Sequence, residues 1–242
     1  MINPTQISTN FYQSENLIQQ KGIVHFFSTK RFDFEQLDQI ALHFEIKKSN
    51  IVIGKQTHSD QIEIIDQQNM HFPFIGVDAF ITKLPGICIA VKTADCTPVL
   101  LFDPIRKVVA AIHSGWRGTI HNITGKTILK MKENYQVQAQ NIIAAIGPCI
   151  GQHNYQVGEE VADQFRTLFP GNPEIVLETI KPAEKAKVSV RQAIFQQLLN
   201  AEVQAENIAV SQECTFNNST NFHSARRDGT TTGRMINGIW LK

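Results

Sequence analysis

The chain has 242 residues, 42% of them hydrophobic and 19% charged, the balance of an ordinary globular protein. Its 23 basic and 22 acidic side chains leave a net charge of +1. That argues against nucleic acid or a polybasic membrane contact as partner, because phosphate surfaces select concentrated positive charge. No run approaches the roughly 18 apolar residues of a membrane span. Met1 to Lys21 is polar, without the basic start and apolar core of a secretory signal. The four cysteines, Cys88, Cys96, Cys149 and Cys214, are too widely spaced for a disulfide framework. Reduced thiols and a cytoplasmic location are therefore expected.

In chain order, helical periodicity begins at 34–43. Apolar alternation and β-branched residues then predict strands at 51–53, 61–65, 79–82, 87–91, 98–102 and 107–112. A helix is expected over 119–134, where Ile120, Ile123, Ile128 and Met131 share one face. A strand at 142–146, helices at 159–169 and 191–201, and a strand at 208–210 complete the series. Strands and helices interleave, but several strands follow one another through short turns. The sheets are therefore expected to be mixed rather than purely parallel, in one α+β domain over 1–242.

Asp103-Pro104-Ile105-Arg106 has the composition of a type I turn between strands 98–102 and 107–112. A turn centred between Pro104 and Ile105 would set Cys96 directly opposite His113 at the open end of the hairpin. Opposed residues hold their Cβ atoms ~4.5–5.5 Å apart, close enough for a thiolate and an imidazole to meet at one ion. His58, in the polar turn after strand 51–53, offers a further ligand. Two His and one Cys suit zinc with the fourth position open, as in catalytic sites, although the spacing matches no short zinc signature.

His113-Ser114-Gly115-Trp116-Arg117-Gly118 leads into the predicted helix, where two glycines allow close backbone approach and Trp116 could stack on a flat base. Asp95, beside Cys96, is a candidate proton carrier. Arg226 and Arg227, with Arg234 close behind, sit among glycines that could present them to a phosphate. Phosphate-loop, dinucleotide and nucleophile-elbow motifs are absent. The eight histidines contain no His-x-His pair, which does not favour copper clusters.

Seven segments together resemble the laccase-domain family. They are Gln56-Thr57-His58, Val77 to Thr82, Ala94-Asp95-Cys96-Thr97-Pro98-Val99, His113 to Gly118, Gly147-Pro148-Cys149-Ile150-Gly151, Tyr155-Gln156-Val157-Gly158 and Cys214 to Arg234. Members of that family were first labelled multicopper polyphenol oxidases. They are also described as purine nucleoside phosphorylases with adenosine deaminase side activity, and in some bacteria as peptidoglycan editing factors. The resemblance implies a mixed α+β fold with packed β-sheets flanked by helices, and a zinc site of His58, Cys96 and His113. It implies an enzyme that takes purine nucleosides and phosphate to free base and ribose 1-phosphate, with adenosine deamination as a second activity. Asp95, Cys96 and Arg117 are its candidate catalytic residues, and Arg117, Arg226 and Arg227 its candidate substrate contacts. No nucleic acid or membrane partner is expected, and a homodimer is allowed for. A cysteine hydrolase acting on a cell-wall precursor, with Cys96 as nucleophile and His113 as base, is the alternative, followed by a non-enzymatic zinc protein. The chain departs from the family pattern in its first fifty residues, where Lys30-Arg31 stands roughly at the place of a basic residue. It also departs at Ser189, His223 and Ala225.

Overall fold

Long apolar runs such as Pro98–Phe102 alternate their side chains between two faces, and here both faces are covered. The computed structural model describes residues 5–6, 10–177 and 185–242. The strands of the first half are β1 (Thr5–Gln6), β2 (Phe11–Gln13), β3 (Ile23–Ser28), β4 (Ile51–Ile53), β5 (Ile62–Ile65), β6 (Ala79–Thr82) and β7 (Cys88–Thr93). Then come β8 (Thr97–Asp103), β9 (Val108–Ser114), β10 (Ile143–Ile146), β11 (Val176–Leu177), β12 (Lys187–Val188), β13 (Ile208–Val210) and β14 (Met235–Leu241). The helices are α1 (Glu15–Ile18), α2 (Leu37–His43), α3 (Trp116–Ile120), α4 (Ile123–Tyr135), α5 (Glu159–Leu168), α6 (Val190–Asn200) and α7 (Ala225–Asp228). One six-stranded sheet runs β1-β2-β3-β14-β7-β4, the other β13-β10-β8-β9-β6-β5. Both mix parallel and antiparallel pairs, as expected for an α+β fold.

The alternation assigns the layers. Leu100 and Phe102 of β8 and Val109 and Ala111 of β9 meet Phe27, Ile89, Val91 and Ile239 of the other sheet. Their neighbours Val99, Leu101, Ala110 and Ile112 pack instead against Ile128 and Met131 of α4, Phe165 of α5 and Ile194 and Leu198 of α6. On the far side of the first sheet, Phe26, Ala90, Ile236 and Trp240 cover Ile40 of α2. The order is helix, sheet, sheet, helices. Strands buried on both faces read as continuous apolar runs, which is why the sequence reveals them.

Three expectations need correction. Residues 34–43 are a 3-10 turn, Phe34–Gln36, followed by α2, because Asp33 caps the turn through the Glu35 N–H. Residues 119–134 are not one helix: α3 starts earlier, at Trp116, and α4 begins anew at Ile123. Asn122 between them takes a left-handed conformation (φ 57°) and caps α4 through the Gly125 N–H. Finally, β14 was not expected as a strand, yet it lies in the middle of its sheet. Its Asn237-Gly238 step resembles a turn, but a Cβ on Gly238 would stand 2.9 Å from both Cys88 Sγ and Phe26 Cε1. The buried Asn237 amide instead donates to Thr93 Oγ1 at 3.0 Å. Close packing explains a glycine that local propensity disfavours.

One buried group makes stability depend on acid. His25 on β3 is 1% exposed, and its Nε2 accepts the Ser14 N–H at 2.8 Å. Burial pushes its pKa from 6.5 to about 3. Because the folded value lies below the unfolded one, the neutral ring contributes its full stability above pH 6.5, and that contribution is lost as pH falls toward 3. His25→Gln keeps a carbonyl acceptor and removes the titration. Its Tm should fall less steeply than that of wild type between these limits; parallel Tm–pH curves would exclude His25 as the cause.

Candidate metal centre and cavity

Cys96 follows β7 and immediately precedes β8, and His113 is near the end of β9, so the β8–β9 hairpin presents both. Asp103 shapes its turn, accepting the N–H groups of Ile105 at 2.7 Å and Arg106 at 3.1 Å. The loop is longer than a two-residue turn. Residues 104–107 all lie in it, Lys107 turns left-handed (φ 53°), and Asp103 pairs with Val108. His113 consequently faces Pro98 rather than Cys96, a slip of two residues from the expected register. An even slip preserves which face each side chain occupies, so Cys96 and His113 remain diagonal neighbours. Gly115 makes room at this end, since a Cβ there would lie 3.0 Å from both Cys96 Sγ and His58 Cδ2.

His58 arrives from the turn after β4 with φ 61°. That backbone is held by Asp78, which lies just before β6 and is fully buried. Its carboxylate accepts N–H groups from Thr57 (3.1 Å), His58 (3.1 Å) and Ser59 (2.9 Å), and the Ser59 hydroxyl at 2.8 Å. It also accepts His113 Nδ1–H at 2.6 Å. Burial pushes the Asp78 carboxyl up, but the His113 hydrogen bond and charge, with the Ser59 bonds, outweigh it and leave the pKa lowered. An ionised Asp78 fixes the proton on Nδ1 and leaves His113 Nε2 as the free ligand atom, the usual carboxylate–histidine support of a metal. The ligand atoms of His58, Cys96 and His113 all lie within 4.8 Å of one another. The His58 and His113 rings stand 4.9 Å apart at 76°.

Burial raises the Cys96 pKa, but the charge and hydrogen bond of His113 and the His58 contact overcome it and bring it down to about 6. Reciprocally, burial lowers His113, while Cys96 and Asp78 hold it up at about 9. A thiolate and two imidazoles are a donor set for zinc or another borderline or soft ion, so the trio can hold a metal.

The trio lines a cavity of about 520 Å³. Lys55, Lys92, Arg117, Arg226 and Arg234 also line it, and Asp95 brings the one carboxylate among the described lining residues. Asp95 is already engaged. It takes φ 87°, and its oxygens accept Thr215 Oγ1–H (2.6 Å), Ser224 Oγ–H (3.0 Å) and the Arg226 N–H (2.7 Å). It thus ties the residue before Cys96 to the start of α7. Two aromatic rings add flat surface: Arg117 lies 4.3 Å over Trp116, and Arg226 lies 5.0 Å over Tyr155. Burial, then the Cys96 charge, raises the Tyr155 pKa and keeps its phenol neutral. Burial, then Arg234, lowers that of Lys92, whose amine sits 4.5 Å over Phe34. Positive charges crowded without a free counter-charge favour an anionic ligand.

Of the arginines singled out in the sequence, Arg117, Arg226 and Arg234 reach the cavity. Arg227 does not: it donates to the carbonyls of Thr215, Phe216 and Phe222 and pairs with Asp228. Lys30 and Arg31 are likewise outside the lining, Lys30 bonding the Ser219 carbonyl. Ser189 caps α6 through the Gln192 N–H, and His223 bonds Asp33 at 2.9 Å. Asp78 was missed as a site residue. Its signal was an isolated acid at the entry to a strand that is buried throughout.

The fold and site define a class: a two-sheet α+β protein with a His–Cys–His cluster on a cationic cavity. The family described as multi-copper polyphenol oxidoreductase laccase matches residues 34–242, and the chain belongs to that family. A Bacteroides thetaiotaomicron protein named purine nucleoside phosphorylase is 34% identical over 79% of this chain and 73% of its own. A protein named adenosine deaminase RL5, from an unknown prokaryotic organism, is 36% identical over 84% of this chain and 79% of its own. The crystal structure of YlmD from Geobacillus stearothermophilus superimposes with a TM-score of 0.90 over 100% of both chains at 26% identity. Relatives of this chain are thus named as enzymes of purine nucleosides. Among the described residues no helix is long and apolar enough to cross a membrane.

Proposed function

We propose that the protein is a zinc-dependent purine nucleoside phosphorylase that also deaminates adenosine. The observation that carries this reading is the convergence of the His–Cys–His cluster with cationic side chains and two flat rings in one cavity. His58, Cys96 and His113 would hold the zinc, which when bound supplies Lewis-acid charge. The exposed Arg117 guanidinium has no hydrogen-bond partner among the described residues and can meet phosphate, with Arg226 as second contact. Trp116 and Tyr155 offer stacking surface to a purine. Asp95 positions Arg226 and Cys96 and is better placed for that than for carrying a proton, because both its oxygens are engaged.

Purified protein incubated with adenosine and inosine, with and without phosphate, tests the reading. Phosphate-dependent release of base is the expected result, and inertness of the metal-loaded protein toward both nucleosides would overturn it. Arg117→Ala and Arg226→Ala should each weaken phosphate use roughly ten- to a hundredfold with metal content unchanged, the loss of one charge-assisted contact at ~1.5–3 kcal/mol. A variant with unaltered phosphate dependence removes that arginine from the site; one that loses metal assigns it to the fold.

The Cys96–His113 pair favours one other reading. A thiolate beside an imidazolium is the resting state of a cysteine hydrolase. Metal content separates the two, since an ion near one per chain occupies the sulfur that a hydrolase needs free.

A further inference from the structure

The proposed function uses Cys96, and Cys88 is buried in the core, which leaves Cys149 and Cys214 unexplained. Cys149 lies in the Gly147–Gly151 loop after β10, and Cys214 lies after β13. These strands are parallel neighbours, with Ile146 paired to Val210. Beyond their ends the two chains meet again in a parallel bridge that pairs Cys149 with Cys214, closed by the Thr215 N–H on the Cys149 carbonyl at 3.0 Å. Adjacent strands run ~4.7–4.9 Å apart, inside the ~4.4–6.8 Å Cα separation that a disulfide spans. Paired residues also project to the same face.

Both sulfurs accept hydrogen bonds from the surrounding chain. Cys214 Sγ accepts the Gly151 N–H at 3.1 Å and the Asn154 amide at 3.5 Å. Cys149 Sγ accepts Arg191 Nε–H at 3.4 Å. The same guanidinium donates to the Glu213 carbonyl at 2.5 Å, so it spans both segments. Cys214 is partly exposed and Cys149 buried. Gly151 and Arg191, which touch the two sulfurs, line a second cavity of about 570 Å³ that admits small solutes.

We infer that Cys149 and Cys214 are a redox-modification site, closing reversibly to a disulfide when the protein meets a hydroperoxide. The partly exposed Cys214 reacts first. Its thiolate attacks the outer peroxide oxygen, an S–O bond forms as the O–O bond breaks, and the alkoxide leaves and is protonated to alcohol. Cys149 then attacks the Cys214 sulfur. An S–S bond forms, the S–O bond breaks, and hydroxide leaves with the Cys149 proton as water. Two thiols are oxidised and one peroxide is reduced.

The pair is coupled to the metal cavity through Asp95, whose carbonyl accepts the Ile150 N–H (3.0 Å) and whose carboxylate accepts the Thr215 hydroxyl. Each of these residues directly follows one of the cysteines.

The test treats the protein as purified, metal included, with hydrogen peroxide, removes the peroxide, then denatures it in the presence of chelator and alkylating agent and maps peptides without reductant. The expected result is a fall from four titratable thiols to two, a linked peptide pair carrying Cys149 and Cys214, and full return with dithiothreitol. Cys149→Ser should leave Cys214 as a sulfenic acid that dimedone captures, and Cys214→Ser should leave Cys149 alkylatable. Peroxide that oxidises Cys96 or Cys88 while both members of the pair stay alkylatable overturns the proposal. So does Cys214 reaching sulfinic acid in wild type without linking to Cys149. The wild-type map decides the matter even if a variant fails to fold.

Discussion

Cys96→Ala should emerge from purification with little metal, where wild type is expected to carry about one ion per chain. The reasoning is quantitative. Four-ligand structural zinc sites gain ~10–16 kcal/mol, so one ligand contributes about 3–4 kcal/mol and its loss weakens binding ~10²–10³-fold. A three-ligand centre has no spare donor with which to compensate. The substitution itself is mild, because Cys96 sits beside Gly115 at the open end of the hairpin rather than within the packed interior of the sheets. The variant should therefore fold, with a Tm close to that of chelator-treated wild type, since a ligand stabilises only the state that binds it. Metal analysis and thermal melts with and without chelator check this together. Full metal retention in Cys96→Ala would remove the thiolate from the centre, and an unaltered wild-type Tm after chelation would show that the ion does not support the fold.

Asp78→Asn should be the second large effect, although Asp78 is not among the proposed metal ligands. Its carboxylate accepts the ring N–H of His113 and the backbone that carries His58. An amide has one acceptor oxygen, and its NH₂ would face N–H groups that previously donated. Loss of an outer carboxylate on a ligating histidine typically costs 10–100-fold in metal affinity. Each charge-assisted hydrogen bond removed costs ~1.5–3 kcal/mol of stability as well. The expected variant is folded but with a lowered Tm, and it binds metal ten- to a hundredfold more weakly while keeping all three ligands. Metal titration against a competing chelator measures the shift. An unchanged affinity would mean that the histidines are oriented without Asp78.

The strands of the β13-β10-β8-β9-β6-β5 sheet were legible in the sequence as apolar runs such as those around Val99 and Ala110, whereas in the other sheet only β4 and β7 were, and β1, β2, β3 and β14 were not. The hairpin that brings Cys96 near His113 was legible too, since Asp103 and Pro104 carry turn chemistry within four residues. Its register was not. Lys107 entering the left-handed region lengthens the loop, and nothing in a lysine announces that conformation. Local pattern also failed at β14, whose glycine is required by Cys88 and Phe26 across the sheet.

The candidate ligands could be named from residue type and from the resemblance, but their assembly depends on contacts between distant segments. Asp78 supports His58 and His113 through hydrogen bonds spanning some twenty to thirty-five residues. Which arginine faces the cavity is likewise a tertiary matter. Arg226 and Arg227 are adjacent in sequence, yet Arg227 turns to carbonyls of the 215–222 segment while Arg226 lies over Tyr155. Residue types and periodicity by themselves determined the fold class and the donor chemistry, because burial and ligand character are properties of each side chain. Direction, register and charge environment were decided only by the tertiary structure, because they depend on hydrogen bonds between segments that meet only when the chain has folded.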